Sequence, residues 1–164
     1  MATTKYGSYV TSSVGGYNAS VRVFLKYTVT TDDTYTYIEF TAGINDGKDG
    51  SLTLSTGGGP TVAVTGTGQE KVSNQKTFKI TSGGANSVTY ISTKTWKWER
   101  TDTAQNVTVT AKLTFPSSSS FSGKKSTASL SFDVPASSES PSGGGYVITY
   151  NANGGYDAPD QQTK

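Results

Sequence analysis

Strict alternation of apolar and polar residues is the feature that most constrains this chain. Val107, Val109, Ala111, Leu113 and Phe115 occupy every second position. Ala128, Leu130, Phe132 and Val134 do the same, with Ser129, Ser131 and Asp133 between them. Residues 18–30 repeat the pattern. There Val21, Val23, Leu25, Tyr27 and Val29 share one face, and Arg22, Phe24, Lys26 and Thr28 the other. Successive side chains of a strand point to opposite faces, so each run reads as a strand with one buried face. No segment shows the 3.6-residue period of an amphipathic helix. The chain is therefore expected to be all-β.

Turn signals divide the runs. Thr31-Asp32-Asp33-Thr34 suits a turn, because aspartate side chains bond nearby backbone N–H groups. It would join residues 18–30 to residues 35–44 as a hairpin, with Ile38, Phe40, Ala42 and Ile44 inward. Leu52 with Leu54, Val62 with Val64, and Phe78 with Ile80 mark three short strands. Residues 87–101 carry Val88, Tyr90, Trp96 and Trp98, but the inward face changes between Tyr90-Ile91 and Trp96. That change predicts a bulge or a break. Residues 6–17 read as a short edge strand or an extended arm. About seven to nine strands result, which fits a two-sheet β-sandwich of the immunoglobulin or fibronectin type over residues 1–136. A Greek-key barrel is the alternative.

Pro135 ends the last strand, since proline has no N–H for a ladder. Residues 137–145 are Ser, Glu, Pro and Gly with no side chain suited to a core, and read as a flexible linker. Residues 146–164 open with a second strand, Tyr146-Val147-Ile148-Thr149-Tyr150, and read as the first part of another module, cut short.

Composition narrows the function. Histidine and cysteine are both absent, which removes the commonest general base, the commonest metal ligand and any disulfide. Net charge is +2 and no basic run exceeds Lys124-Lys125, so a nucleic-acid footprint is not expected. No apolar run is long enough for a membrane span or a signal-peptide core. Met1-Ala2-Thr3-Thr4 reads as an intact translation start, which leaves lysis or particle assembly as routes out of a cell.

The remaining candidates are few. Asp32-Asp33 and Asp46 with Asp49 are carboxylate pairs, but both sit in expected turns, where aspartates are usually structural. No catalytic residue, cofactor or enzyme activity is assigned. Asn45, Asp46 and Asp49 could offer oxygens to Ca²⁺, though the spacing lacks the full loop and its bidentate Glu. Trp96 and Trp98 share a face. Exposed, they would form a stacking platform for sugar rings; buried, they would anchor the core, and at least one is expected to be buried. Tyr6, Tyr9 and Tyr17, set among small residues, are candidates for an assembly arm.

Two stretches resemble a known family. Tyr146-Val-Ile-Thr-Tyr-Asn-Ala-Asn-Gly-Gly155, with Ala158-Pro159 and Gln162-Thr163 after it, resembles the opening of the Listeria–Bacteroides repeat, the β-grasp module of internalin B-repeats. Thr103-Ala-Gln-Asn-Val-Thr-Val-Thr-Ala111 and Ser126-Thr-Ala-Ser-Leu-Ser-Phe-Asp-Val-Pro-Ala136 resemble sandwich domains of minor structural (tail) proteins from phages of Gram-positive hosts. The resemblance implies a virion structural protein at the tail or baseplate, on the virion surface. It would be bound to other virion proteins, homo-oligomeric, and would face host cell-wall carbohydrate. A capsid decoration or head-fibre protein and a glycan-binding bacterial adhesin are the alternatives.

Overall fold

Strands are the only regular elements among the described residues, which in this computed structural model are 1–14, 17–46, 52–54, 59–80, 87–137, 147–148 and 162–163. In chain order they are β1 (Thr3–Tyr6), β2 (Val10–Val14), β3 (Tyr17–Thr31), β4 (Tyr35–Asp46), β5 (Leu52–Leu54), β6 (Thr61–Gly66) and β7 (Val72–Gln75). Then follow β8 (Phe78–Ile80), β9 (Ser87–Glu99), β10 (Gln105–Thr114), β11 (Lys125–Val134), β12 (Val147–Ile148) and β13 (Gln162–Thr163). One antiparallel sheet has the order β1-β3-β4-β9, with β2 also paired to β3. The second has the order β11-β10-β6-β7. β5 pairs with β8, and β12 with β13, as separate two-stranded ribbons. The rest of the expected linker and repeat lies outside the described residues.

The two sheets pack face to face in a sandwich-like arrangement. Their inner faces are the alternating sets read from the sequence. Val21, Val23, Leu25, Ile38 and Ile44 from the first sheet meet Val62, Val64, Val109 and Leu113 from the second in one cluster. Each such burial contributes roughly 1.5–3 kcal/mol. Strand β3 meets β4 as the expected hairpin, from Val21 opposite Asp46 to Thr31 opposite Thr36. The register of β4 against β9 slips twice, between Phe40 and Ala42 and between Ala42 and Gly43. This is the irregularity anticipated before Trp96. It lets consecutive Tyr90 and Ile91 both turn inward.

Two features differ from expectation. Among the described residues before 137 there are eleven strands, not about seven to nine. β7 carries no clear apolar alternation, and the arm splits into β1 and β2. The loop after β10 is more than a connector. Phe121 is fully buried and stacks on Phe115, with centroids 4.2 Å apart and planes at 15°.

The arm is an edge strand with a bulge. Tyr6 stands opposite Phe24 and Val10 opposite Val21, so three arm residues span two of β3. The ladder is mended from the other sheet. The buried Ser126 hydroxyl accepts from Val23 N (3.1 Å) and donates to the Ser8 carbonyl (2.7 Å). Gly7 lies so close that a Cβ there would overlap Ser126 Oγ and the Thr127 carbonyl. Ser12 Oγ donates to the Ser120 carbonyl, and Lys124 Nζ to the Thr11 carbonyl. The arm thus closes one flank of the sandwich, between β3 and β11.

At the end where residues 135–137 leave β11, Arg100 binds three carbonyls. Its Nη1 donates to Asp32 (2.6 Å), Nη2 to Ala136 (2.5 Å) and Nε to Pro135 (3.3 Å). Ser137 N adds a bond to the Thr101 carbonyl (2.9 Å). One guanidinium therefore ties the last strand of the second sheet to the β3–β4 turn of the first.

That turn is built as the sequence suggested. Asp32 Oδ1 accepts from Thr34 N (2.8 Å) and Tyr35 N (2.7 Å), and Oδ2 from the Tyr37 hydroxyl (2.9 Å). The bonds from Tyr35 and Thr34 hold the carboxyl below its usual range, with Tyr37 and Arg100 adding to them. A carboxylate depressed in the folded state stabilises the fold above its unfolded pKa of about 4 and loses that contribution as pH falls through the lower folded value. The expected result is a local acid transition at the turn below about pH 4, visible in the Thr34 and Tyr35 amide signals. Asp32→Asn should abolish it; a transition unchanged in that variant would assign it to another group.

Candidate functional site

Tyr6 of β1, Tyr9 of the arm bulge, Arg22 of β3 and Asn45 of β4 converge on the outer face of the first sheet, at the end away from Arg100. Arg22 projects outward from β3, because Val21 and Val23 on either side of it point into the core. Asn45 stands opposite it on β4. Arg22 Nε donates to Asn45 Oδ1 (3.1 Å), and Asn45 Nδ2 donates to Ser87 Oγ (3.4 Å). This orients the guanidinium plane. Its carbon then lies 3.9 Å from the Tyr6 ring centroid and 4.4 Å from that of Tyr9. Tyr6 remains 48% exposed and Tyr9 46%.

The arm bulge makes this possible. It adds one residue between Tyr6 and Val10, so that Tyr6 and Tyr9 both reach Arg22 instead of following the ladder past it. A guanidinium over an aromatic face is worth about 0.5–1 kcal/mol at an exposed site. Here it also fixes the rotamers of two large side chains before any partner arrives. Tyrosine and arginine so arranged form a preorganised, amphipathic surface suited to burial against another macromolecule.

The structure thus unites two candidates that the sequence kept apart, the arm tyrosines and Asn45. The link between them, Arg22, was not singled out, since its outward position was legible but its neighbours depend on the arm register. Tyr17 lies on β3 opposite Val14, and its side chain is outside the described residues.

Of the calcium candidates, Asn45 already accepts a hydrogen bond on its side-chain oxygen from Arg22 Nε. Asp46, opposite Val21, is buried, and Asp49 lies outside the described residues. Among the described residues no three acidic side chains gather to hold an ion.

The burial expected of at least one tryptophan holds for both, which closes the sugar platform. Trp96 and Trp98 are both buried, at 9% and 8% exposure. Phe40, Trp96, Trp98 and Phe132 form a chain of tilted and edge-on rings from one sheet to the other, with centroids 4.6, 6.5 and 5.5 Å apart. Trp98 Nε1 donates to the Thr67 carbonyl (2.7 Å), which satisfies its one polar atom. Trp96 covers Gly66, where a Cβ would overlap its ring. These rings are core, with no open face for a sugar.

Compared with protein-family models, curated proteins and solved structures, the chain matches none.

Proposed function

We propose that this chain is a virion structural module, associated with a phage tail or baseplate. In this reading residues 1–136 attach to the particle, residues 137–145 act as a linker, and residues 146–164 begin a Listeria–Bacteroides-type repeat that faces the host envelope. The observation that carries the attachment role is the exposed Tyr6–Arg22–Tyr9 cluster. Interface hot spots are rich in tyrosine and arginine held in fixed positions, as this cluster holds them. The Arg100 clamp agrees with the role, because a module that bears others on its C-terminal side needs a strand end that does not peel away.

The finer assignment within sandwiches stays with this proposal. An immunoglobulin constant domain orders its sheets ABED and CFG, which puts its second and third strands in different sheets. Here the equivalent consecutive strands, β3 and β4, are neighbours in one sheet. We therefore regard the module as a sandwich with its own strand order.

Symmetric closure is the usual state of such assemblies. The expected result is that the intact chain forms a cyclic oligomer by analytical ultracentrifugation. Tyr6→Ala/Tyr9→Ala should shift it to a folded monomer with an unchanged far-UV circular dichroism spectrum and a midpoint lowered by only a few degrees, because both side chains are half exposed and their contacts with Arg22 are modest. A double variant that assembles like the wild type would sink the assignment of this face.

A further inference from the structure

The sandwich has a second flank, opposite the arm, where β7 of one sheet approaches β9 of the other. Side chains stitch this seam at both ends. Gln69 Nε2 donates to the Lys97 carbonyl (2.8 Å) at one end. At the other, Asn74 Nδ2 donates to the Tyr90 carbonyl (2.8 Å) and Lys76 Nζ to the Thr89 carbonyl. Between the stitches the edges part and leave a groove of about 440 Å³, with Lys71, Ser92 and Lys94 on its walls beside Val72 and Ile91. The register slips of β9 open it. They turn Tyr90 and Ile91 into the core and leave residues 92–95 all exposed.

The backbone over this stretch is an open edge. In an antiparallel strand a residue directs its N–H and C=O to the same side, and the side alternates along the chain. The Lys97 carbonyl faces Gln69, away from β4, so Thr95 presents its N–H and C=O to the same free side. Among the described residues no group caps the outward backbone between residues 92 and 95. The groove also carries one sign of charge. Lys71 and Lys94 both line it, no carboxylate does, and neither lysine has an ion-pair partner among the described residues.

We propose that this edge docks an extended acidic peptide segment of a partner protein. The segment pairs with β9 at residues 92–95 and sets carboxylates on Lys71 and Lys94. Strand addition of this kind takes its affinity from main-chain bonds and its selectivity from side chains. Lysine on a sheet edge ordinarily guards against strand pairing. Against an acidic strand the same charge becomes a selector, since it rejects neutral and basic strands and admits this one. The inference is independent of the assembly face, which lies on the other flank.

The test is an NMR titration of the full chain with two synthetic peptides, one alternating Val and Glu, the other Val and Lys. The Glu peptide should shift the amides of residues 92–95, slow hydrogen exchange at Thr95, and weaken as salt is added. The Lys peptide should do none of this. Lys71→Gln/Lys94→Gln should weaken the Glu peptide by about 3- to 10-fold. Both lysines are exposed, so an unchanged thermal midpoint will show that the fold is kept. Lys71→Glu/Lys94→Glu should reverse the preference toward the Lys peptide. No binding, equal binding of both peptides, or Glu-peptide binding unchanged by the reversal would overturn the proposal. So would trigalacturonate perturbing the lysines as strongly as the Glu peptide while neither ligand slows Thr95 exchange, because the groove would then hold an anion without strand pairing.

Discussion

Trp96→Ala will lower the unfolding free energy by about 3–5 kcal/mol, measured by urea denaturation of the full chain. Domains of this kind are stable by about 5–15 kcal/mol in total, so the loss removes a large share. Three contacts set the size. The Trp96 ring sits 4.6 Å from that of Phe40 on the neighbouring strand and 6.5 Å from that of Trp98. Its far edge rests on Gly66 of the opposite sheet. Truncation leaves a cavity between the edge strand β9 and the end of β6 in the opposite sheet, bounded by Gly66 and the Phe40 and Trp98 rings. Phe132→Ala should cost less. Its alternation placed it in the core, but it lies only partly buried near the end of β11, with one face on Trp98. Water can enter that site, so about half the loss at Trp96 is expected, below the range for a fully buried phenylalanine. Equal losses at the two positions would mean that the aromatic chain is no more tightly packed at its centre than at its rim.

These residues also show where the sequence was legible. One-sided burial leaves a period of two, and that period marked the inward faces of β3, β4, β10 and β11. Val109, Leu113, Ile38 and Leu25 could be placed without knowing which strand paired with which. The bulge before Trp96 was readable for the same reason, as a break in phase. What the sequence hid depends on pairing between distant segments. Phe121 drew no reading from the sequence, because its apolar neighbour, Phe115, is reached by folding back the chain and not by strand alternation. The indole of Trp98 could be counted as core only once Thr67 was seen to accept its N–H. The Tyr6–Arg22–Tyr9 cluster needed the arm register, which turns on a single extra residue. Ser126 is the clearest case. On sequence it is one serine in a Ser-rich strand, yet in the fold its hydroxyl joins the two sheets at a gap in the ladder.

Removing residues 1–14 should unfold the domain and not merely detach it from its partners. The arm tyrosines invite the opposite expectation, since an exposed arm can be cut away without harm to the body that bears it. The bonding of the arm decides against that. β1 and β2 pair with β3 along most of its length, and Val10 belongs to the core cluster. Deletion strips those ladder bonds, each worth about 0.5–1.5 kcal/mol net, and leaves the Ser126 hydroxyl without the Ser8 carbonyl. It also removes the Thr11 carbonyl that accepts from Lys124 and the Ser12 hydroxyl that donates to Ser120 on the loop that carries Phe121. The sum is comparable to the whole stability of a small domain, roughly 5 kcal/mol or more. The uncovered β3 edge would then present free N–H and C=O groups, a template for aggregation. Circular dichroism of the truncated chain should show no cooperative melt, and sedimentation should show large, heterogeneous species. Ser126→Ala supplies the graded control, because it breaks only the bridge and should cost about 1–3 kcal/mol with the arm still present. A truncated chain that melts cooperatively at the wild-type midpoint would show that β3 holds its place without the arm, and that the hydroxyl bridge closes the flank without supporting it.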